Sequence, residues 1–143
     1  MMLLGRLEAI LTGDPQRPPY CWETSAATSE CSAQILSMAH QAALGMEHLT
    51  NHRLLHKDLA ARNCLIISNL SVKISLSSLS VDTYSSEYFK FHNQLIPLRW
   101  MPPEAVFESD YSMKSDTYSY ACLVWEMFTK GDVPFRGCLM KKC

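Results

Sequence analysis

Eight residues, His56-Lys57-Asp58-Leu59-Ala60-Ala61-Arg62-Asn63, constrain this chain more than any other stretch. They place a carboxylate, a guanidinium and a carboxamide in one short loop between apolar segments. Asp58 can accept a proton from a hydroxyl, and Asn63 offers a neutral oxygen to a hard cation. Arg62 can hold a carboxylate, or steady the loop, through two parallel hydrogen bonds. An Asp and an Asn at this spacing are also ordinary turn formers, so the remainder of the chain has to decide between the two.

The chain has 143 residues and a formal net charge of -1. That length suits one modest domain. The near-neutral balance gives no basic footprint for nucleic acid. The six cysteines, Cys21, Cys31, Cys64, Cys122, Cys138 and Cys143, are irregularly spaced and form no C-x-x-C pair. Reduced, scattered thiols fit a cytosolic setting. Met1-Met2-Leu3-Leu4 is too short for a signal-peptide core, and no run of about twenty apolar residues marks a membrane span. Asn69-Leu70-Ser71 has the form of a glycosylation acceptor but reads better as a turn.

Leu4, Leu7 and Leu11 share a face and predict a short helix over 3–11, stopped by Gly13-Asp14-Pro15. A Pro-, Thr- and Ser-rich loop follows to about Glu30. Ile35, Ala39, Ala42, Met46 and Leu49 predict an amphipathic helix over 32–49, with Ser29 or Ser32 as cap. Gly45 inside it implies that something packs close there. Arg53-Leu54-Leu55 reads as a brief strand. Cys64–Ile67 and Val72–Ile74 read as a short β-hairpin turning at Ser68-Asn69-Leu70. The segment 75–94 is polar, with no sustained period. A short helix can start at Pro103. Residues 115–129 are apolar almost all round and predict a central, buried helix ended by Gly131 and Pro134. The tail 137–143 shows no pattern.

The eight-residue string resembles the catalytic loop of tyrosine kinases, where the Asp is the base and the Asn holds a metal. Leu4–Leu11 resembles the helix after the kinase hinge. Ala43–Leu49 resembles the end of the long helix before the catalytic loop. Leu98-Arg99-Trp100-Met101-Pro102-Pro103-Glu104 is similar to the stretch that ends in Ala-Pro-Glu, and Ser115–Ala121 to the start of the buried central helix. The resemblance covers nearly the whole chain apart from the loop near Asp14–Glu30 and the tail. It implies a mainly α (α+β) fold over 1–136: a truncated protein-kinase-like C-terminal large lobe with a short β-hairpin, the small lobe absent. It also implies that His56 braces the loop, that Asp116 binds loop backbone, that Leu7 and Leu65 correspond to the adenine floor, and that Tyr84 and Tyr88 correspond to activation-loop phosphosites. Glu104 matches a glutamate whose late arginine partner lies beyond this chain.

Where the family carries Asp-Phe-Gly to grip magnesium, this chain has Leu76-Ser77-Ser78. An aliphatic side chain offers no oxygen to a hard cation. Lys57 replaces the loop arginine and its planar fork. No Gly-rich phosphate loop and no strand lysine appear. Phosphoryl transfer is positioning plus charge neutralisation, so losing these parts together leaves Asp58, Arg62 and Asn63 as vestigial scaffolding, with no functional catalytic residue, no cofactor and no metal. ATP and Mg are expected only if this is instead part of an active tyrosine kinase.

His56-Lys57-Asp58, the degenerate metal motif, Ser86-Glu87-Tyr88 and Pro97–Met101 together resemble the inactive receptor family protein tyrosine kinase seven (colon carcinoma kinase four), related to the fly off-track proteins. That resemblance implies a pseudokinase on the cytoplasmic side of a single-pass receptor. It implies docking of signalling proteins in Wnt and planar polarity signalling and adhesion, with no direct membrane insertion by this segment. Three rivals remain: an active kinase, a zinc-stabilised helical protein using His48, His52 and His56, and an aberrant product without function. A lobe stripped of its covering helices is expected to expose apolar surface and to be marginally stable alone.

Overall fold

In the computed structural model, residues 3–7, 11, 28–75 and 85–136 are described. The residues of the degenerate metal motif, Leu76, Ser77 and Ser78, lie outside that set, as do Tyr84, the 12–27 loop and the 137–143 tail.

Among the described residues, strand β1 (Leu3–Arg6) opens the chain and is followed by the long helix α1 (Thr28–Asn51). Strands β2 (Cys64–Ile67) and β3 (Val72–Ile74) come next, then β4 (Phe89–Phe91) and β5 (Gln94–Ile96). A five-residue helix α2 (Pro103–Phe107) and the helix α3 (Met113–Phe128) complete the order. The larger sheet runs β1-β2-β3, all antiparallel, and β4-β5 form a separate hairpin. The α3 helix packs on α1, and α1 packs on β3.

The main core lies between α1, the β1-β2-β3 sheet and α3. Ile35, Met38, Ala39, Ala42 and Met46 present the apolar face of α1 to Ile66, Val72, Leu123 and Met127. The predicted face of α1 is the one buried, but the helix starts earlier than its apolar period. Ser29 and Ser32 therefore sit inside it and neither is the cap. Hydrophobic spacing marks where a helix meets the core and is blind to a polar first turn. The close packing inferred at Gly45 is real: a Cβ built there would lie 2.9 Å from Cδ1 of Ile74 on β3.

Three segments take another form than their residues predict. The 3–11 segment is not one helix: Leu3–Arg6 pairs with β2, and the helical positions Leu7 and Leu11 follow it, both buried. The hairpin is thereby the inner part of a three-stranded sheet. Arg53-Leu54-Leu55 is not a strand. Arg53 adopts φ 55, Arg53 N donates to Thr50 O (2.9 Å) and Leu54 N to Leu49 O (2.9 Å). That is a Schellman ending, which satisfies the last carbonyls of α1. In the supposedly irregular stretch before residue 94, β4 and β5 turn through His92 and Asn93, whose φ values of 45 and 64 fit a type I′ hairpin.

Helix α3 begins two residues before its expected start because Ser112 and Ser115 form a reciprocal capping box. It is not apolar and buried all round. Its inward face carries Ser115, Asp116, Ser119 and Glu126 alongside Leu123 and Met127, while Trp125 and Phe128 are 42% and 49% exposed. Tyr120 donates its hydroxyl to Ala39 O at 2.9 Å, tying α3 to α1. The short helix α2 does start at Pro103, whose missing N–H costs nothing in a first turn.

The Gly45–Ile74 approach gives a test. Gly45→Ala meets only the mobile end of one side chain and gains helix propensity, so its unfolding midpoint in urea should stay near the parent's. Gly45→Leu should destabilise by about 1–3 kcal/mol through overpacking.

Candidate functional site

The loop 56–63 runs along α3, and two buried acids near opposite ends of that helix hold it. Asp116 accepts the backbone N–H of His56 (2.8 Å) and of Lys57 (3.0 Å) and the hydroxyl of Tyr111 (2.7 Å). Lys57 is held at φ 67, a left-handed conformation that costs a non-glycine residue about 1 kcal/mol and persists only where its surroundings enforce it. Burial, then the bond to Asp116, pushes the Tyr111 hydroxyl well above its usual range.

Glu126 is the second acid. Its Oε2 accepts Ala61 N (3.1 Å) and Trp100 Nε1 (2.9 Å), joining α3, the loop and the 3-10 turn Leu98–Trp100. Burial pushes its carboxyl up to about 7 from 4.5, against the opposing pull of those two donors and of Arg62. Sequence reading did not single it out. The available signal was a lone acid inside the apolar run Leu123–Phe128, which if buried has to be hydrogen-bonded or neutral.

His56 braces the other side of the loop. Its Nδ1 accepts Asp58 N (3.2 Å), which leaves Nε2–H to donate to Ser75 O (2.8 Å). Both ring nitrogens are thus committed to backbone groups. The rings of His48 and His52 lie 4.3 Å apart, tilted by 42°, and His52 Nδ1 pairs with His48 O at 2.8 Å. The three histidines do not converge, and among the described residues no group of three or more His, Cys, Asp or Glu is placed to hold a metal.

At the centre, Asp58 is 4% exposed and both its carboxylate oxygens are engaged. Arg62 donates to Oδ1 through Nη2, and the Tyr88 hydroxyl donates to Oδ2. Arg62 Nε also donates to the Tyr88 hydroxyl oxygen (3.0 Å), and Nη1 bonds Glu87 (2.7 Å). The guanidinium is fully buried, with its carbon 4.7 Å from the Tyr88 ring centre and 4.2 Å from that of Trp100. Burial alone would lower its affinity for a proton; the charges of Asp58, Tyr88 and Glu87 more than reverse this and move it upward. Tyr88 is pushed up to about 12, first by burial and next by its bond to Asp58. Asn63, fully buried, turns its amide N–H to Asp58 O at 2.6 Å.

The structure therefore brings Asp58, Arg62, Asn63, His56, Asp116 and Tyr88 together. Tyr88 does not extend into solvent; it plugs the loop. Leu7 is fully buried among the core residues and so is not part of an open floor, while Leu65 lies half-buried on β2 opposite Arg6. Glu104 is exposed, and Arg99 donates instead to Pro134 O (3.1 Å) and Phe135 O (2.8 Å). Both Asp58 oxygens are engaged by protein donors, and the sequence carries at position 76 an aliphatic leucine, which has no oxygen to offer a hard cation.

The raised Glu126 carboxyl has a definite consequence for stability. The folded state binds this proton more tightly than the unfolded chain, so its contribution is complete below about pH 4.5 and is lost as pH rises through about 7. Glu126→Gln keeps an oxygen for both donors but does not titrate. Relative to the parent, the variant should gain stability on the order of a few kcal/mol between those pH values and nothing further above them, as measured by urea unfolding across pH.

The family model for protein tyrosine and serine/threonine kinases matches residues 1–143. The chain is 56% identical over 100 residues to "Inactive tyrosine-protein kinase 7" of Gallus gallus, covering 70% of this chain and 10% of that protein. It is 52% identical over 104 residues to the Homo sapiens protein of the same name, covering 73% and 10%. It is 44% identical over 126 residues to "Tyrosine-protein kinase-like otk" of Drosophila persimilis, covering 88% and 12%. The chain thus spans about a tenth of the length of the curated relatives it matches. A kinase-type loop held by Asp116 and a family match along the full sequence lead to one conclusion: the chain belongs to the protein tyrosine and serine/threonine kinase family and carries part of a kinase-like domain similar to that of Inactive tyrosine-protein kinase 7.

Proposed function

We propose that this chain is a pseudokinase segment that works as a protein-binding module and transfers no phosphate. The observation that carries this reading is the occupied Asp58 carboxylate. A general base must reach the proton it removes, within about 2.6–3.2 Å of the substrate hydroxyl. Here one oxygen belongs to Arg62 and the other to the chain's own Tyr88. The Leu76-Ser77-Ser78 motif supports it from the sequence, because a triphosphate without its magnesium carboxylate faces Asp58 unscreened. The name of the relatives, "Inactive tyrosine-protein kinase 7", agrees with it.

The finer reading rests on resemblance to that receptor group. The segment would lie on the cytoplasmic side of the plasma membrane within a longer single-pass receptor, dock signalling proteins, and serve Wnt and planar polarity signalling and adhesion. It would bind neither nucleic acid nor a metal, and it would not use ATP. Among the described residues no helix is long and apolar enough to cross a membrane.

The test is direct. The purified chain, and a longer protein that contains it, should give no magnesium-dependent phosphate transfer from ATP to a tyrosine peptide. Calorimetry should show no saturable ATP binding at millimolar concentration. Phosphate transfer that Asp58→Asn abolishes would establish the rival reading of an active kinase.

A further inference from the structure

We propose that the buried carboxyl of Glu126 is a pH-sensitive latch on the Glu87–Tyr88 turn: neutral, it leaves Arg62 to Glu87 and Tyr88, and ionised, it draws Arg62 away and releases them. Three carboxyl groups gather around one buried guanidinium. Asp58 and Glu87 bond it directly. Glu126 is 4% exposed and accepts from Ala61, the residue before Arg62, and from the indole of Trp100, on whose ring the guanidinium lies. Both bonds land on Oε2, and among the described residues no hydrogen bond reaches Oε1.

The groups that face Glu126 supply a single cation. From its own helix and from β2 come the thiols of Cys122 and Cys64, pushed up to about 11 and about 12 by burial first and then by Glu126, so both stay neutral near neutral pH. From the loop comes Arg62, which attracts, and from the Ser85–Glu87 turn comes Glu87, which repels. Arg99, beside Trp100, is committed to the carbonyls of Pro134 and Phe135. With Glu126 neutral, one cation faces two carboxylates. With Glu126 ionised it faces three, in surroundings where an uncompensated charge is costly.

The member that can yield is Glu87. Its side chain is 15% exposed against 5% for Asp58, and no residue of its 3-10 turn is buried. Asp58 is instead fixed through its own backbone, by His56 at the N–H and by Asn63 at the carbonyl. Segments with few buried contacts open most readily. Moving the turn outward takes the Glu87 charge away from Glu126. It also lifts the Tyr88 hydroxyl off Arg62 Nε and off Asp58. The guanidinium then turns to Oε1 of Glu126 and keeps two counter-charges in both states.

A proton can shift this equilibrium only through its different affinity for the two states. In the closed state burial, with Glu87 adding to it, holds the Glu126 carboxyl at about 7 against an ordinary 4.5. The closed state binds the proton more tightly, so acid closes the latch and rising pH opens it. Full relief in the open state sets a ceiling on the order of a few hundredfold on the change in the open-to-closed ratio.

NMR on the purified full chain, labelled with 13C and 15N, tests this, with each side-chain signal assigned through bonds to its own backbone. The Cδ of Glu126 and the Cζ of Tyr88 should titrate together in one step between about pH 5 and 8, with the open-to-closed ratio rising about tenfold or more. Tyr120, bonded to Ala39 O in the core, should not move. In Glu126→Gln the Tyr88 signal should keep its acid-side value across that range. In Glu87→Gln, which retains an oxygen for Arg62 but no charge, the Glu126 midpoint should fall. A Tyr88 signal that stays flat while Glu126 titrates would overturn the proposal. So would a Glu126 carboxyl with no midpoint in that range, an unmoved midpoint in Glu87→Gln, or a Tyr88 signal that still titrates in Glu126→Gln. Movement of Tyr88 and Tyr120 together means loss of the whole fold and overturns it as well. The parent and Glu87→Gln spectra decide the matter even where Glu126→Gln does not fold.

Discussion

The arrangement turns on a buried guanidinium. Arg62 is fully enclosed, and a charge so placed is tolerated only when paired and hydrogen-bonded. Asp58 and Glu87 supply the counter-charges, the Tyr88 hydroxyl accepts from Nε, and Trp100 and Tyr88 lend their ring faces. Removing one partner from such a set commonly costs about 3–5 kcal/mol, because the charge left behind is uncompensated. The same bonds that stabilise Arg62 occupy the Asp58 carboxylate, so the support of the buried charge and the engagement of Asp58 are two aspects of one network.

Helix α3 makes that network possible. Its inward acids work at two points about three turns apart along the helix. Asp116 gathers the N–H groups that begin the loop, and Glu126 gathers those of Ala61 and Trp100. Each satisfies donors, of loop backbone and of neighbouring side chains, that would otherwise be buried unpaired. The apolar half of the helix meets α1 and the sheet, while Trp125 and Phe128 remain outward. This division is why a sequence that reads as apolar all round has a polar inner face and an aromatic outer one.

Much of the site was legible because it is local. Asp58, Arg62 and Asn63 lie within one loop, and Asp116 sits in a short string of its own kind. The apolar face of α1 was equally plain from spacing alone. The missed parts depend on distant partners or on backbone geometry. Strand β1 has no internal signal, since its partners Leu65–Ile67 lie some sixty residues away in sequence. The Schellman ending at Arg53 and the His92-Asn93 turn use positive φ at residues other than glycine, where composition gives little warning. The direction of Tyr88 is set by the buried charges beneath it, and no local pattern records that.

The central claim is that Tyr88 and Asp58 are energetically coupled in the folded chain, not merely close. A double-mutant cycle of Asp58→Ala and Tyr88→Phe, read by urea unfolding, measures that coupling free of each residue's other contacts. The account predicts an interaction energy of about 1–3 kcal/mol. Additivity to within about 0.3–0.5 kcal/mol would contradict it, and would leave the Asp58 carboxylate open to a substrate.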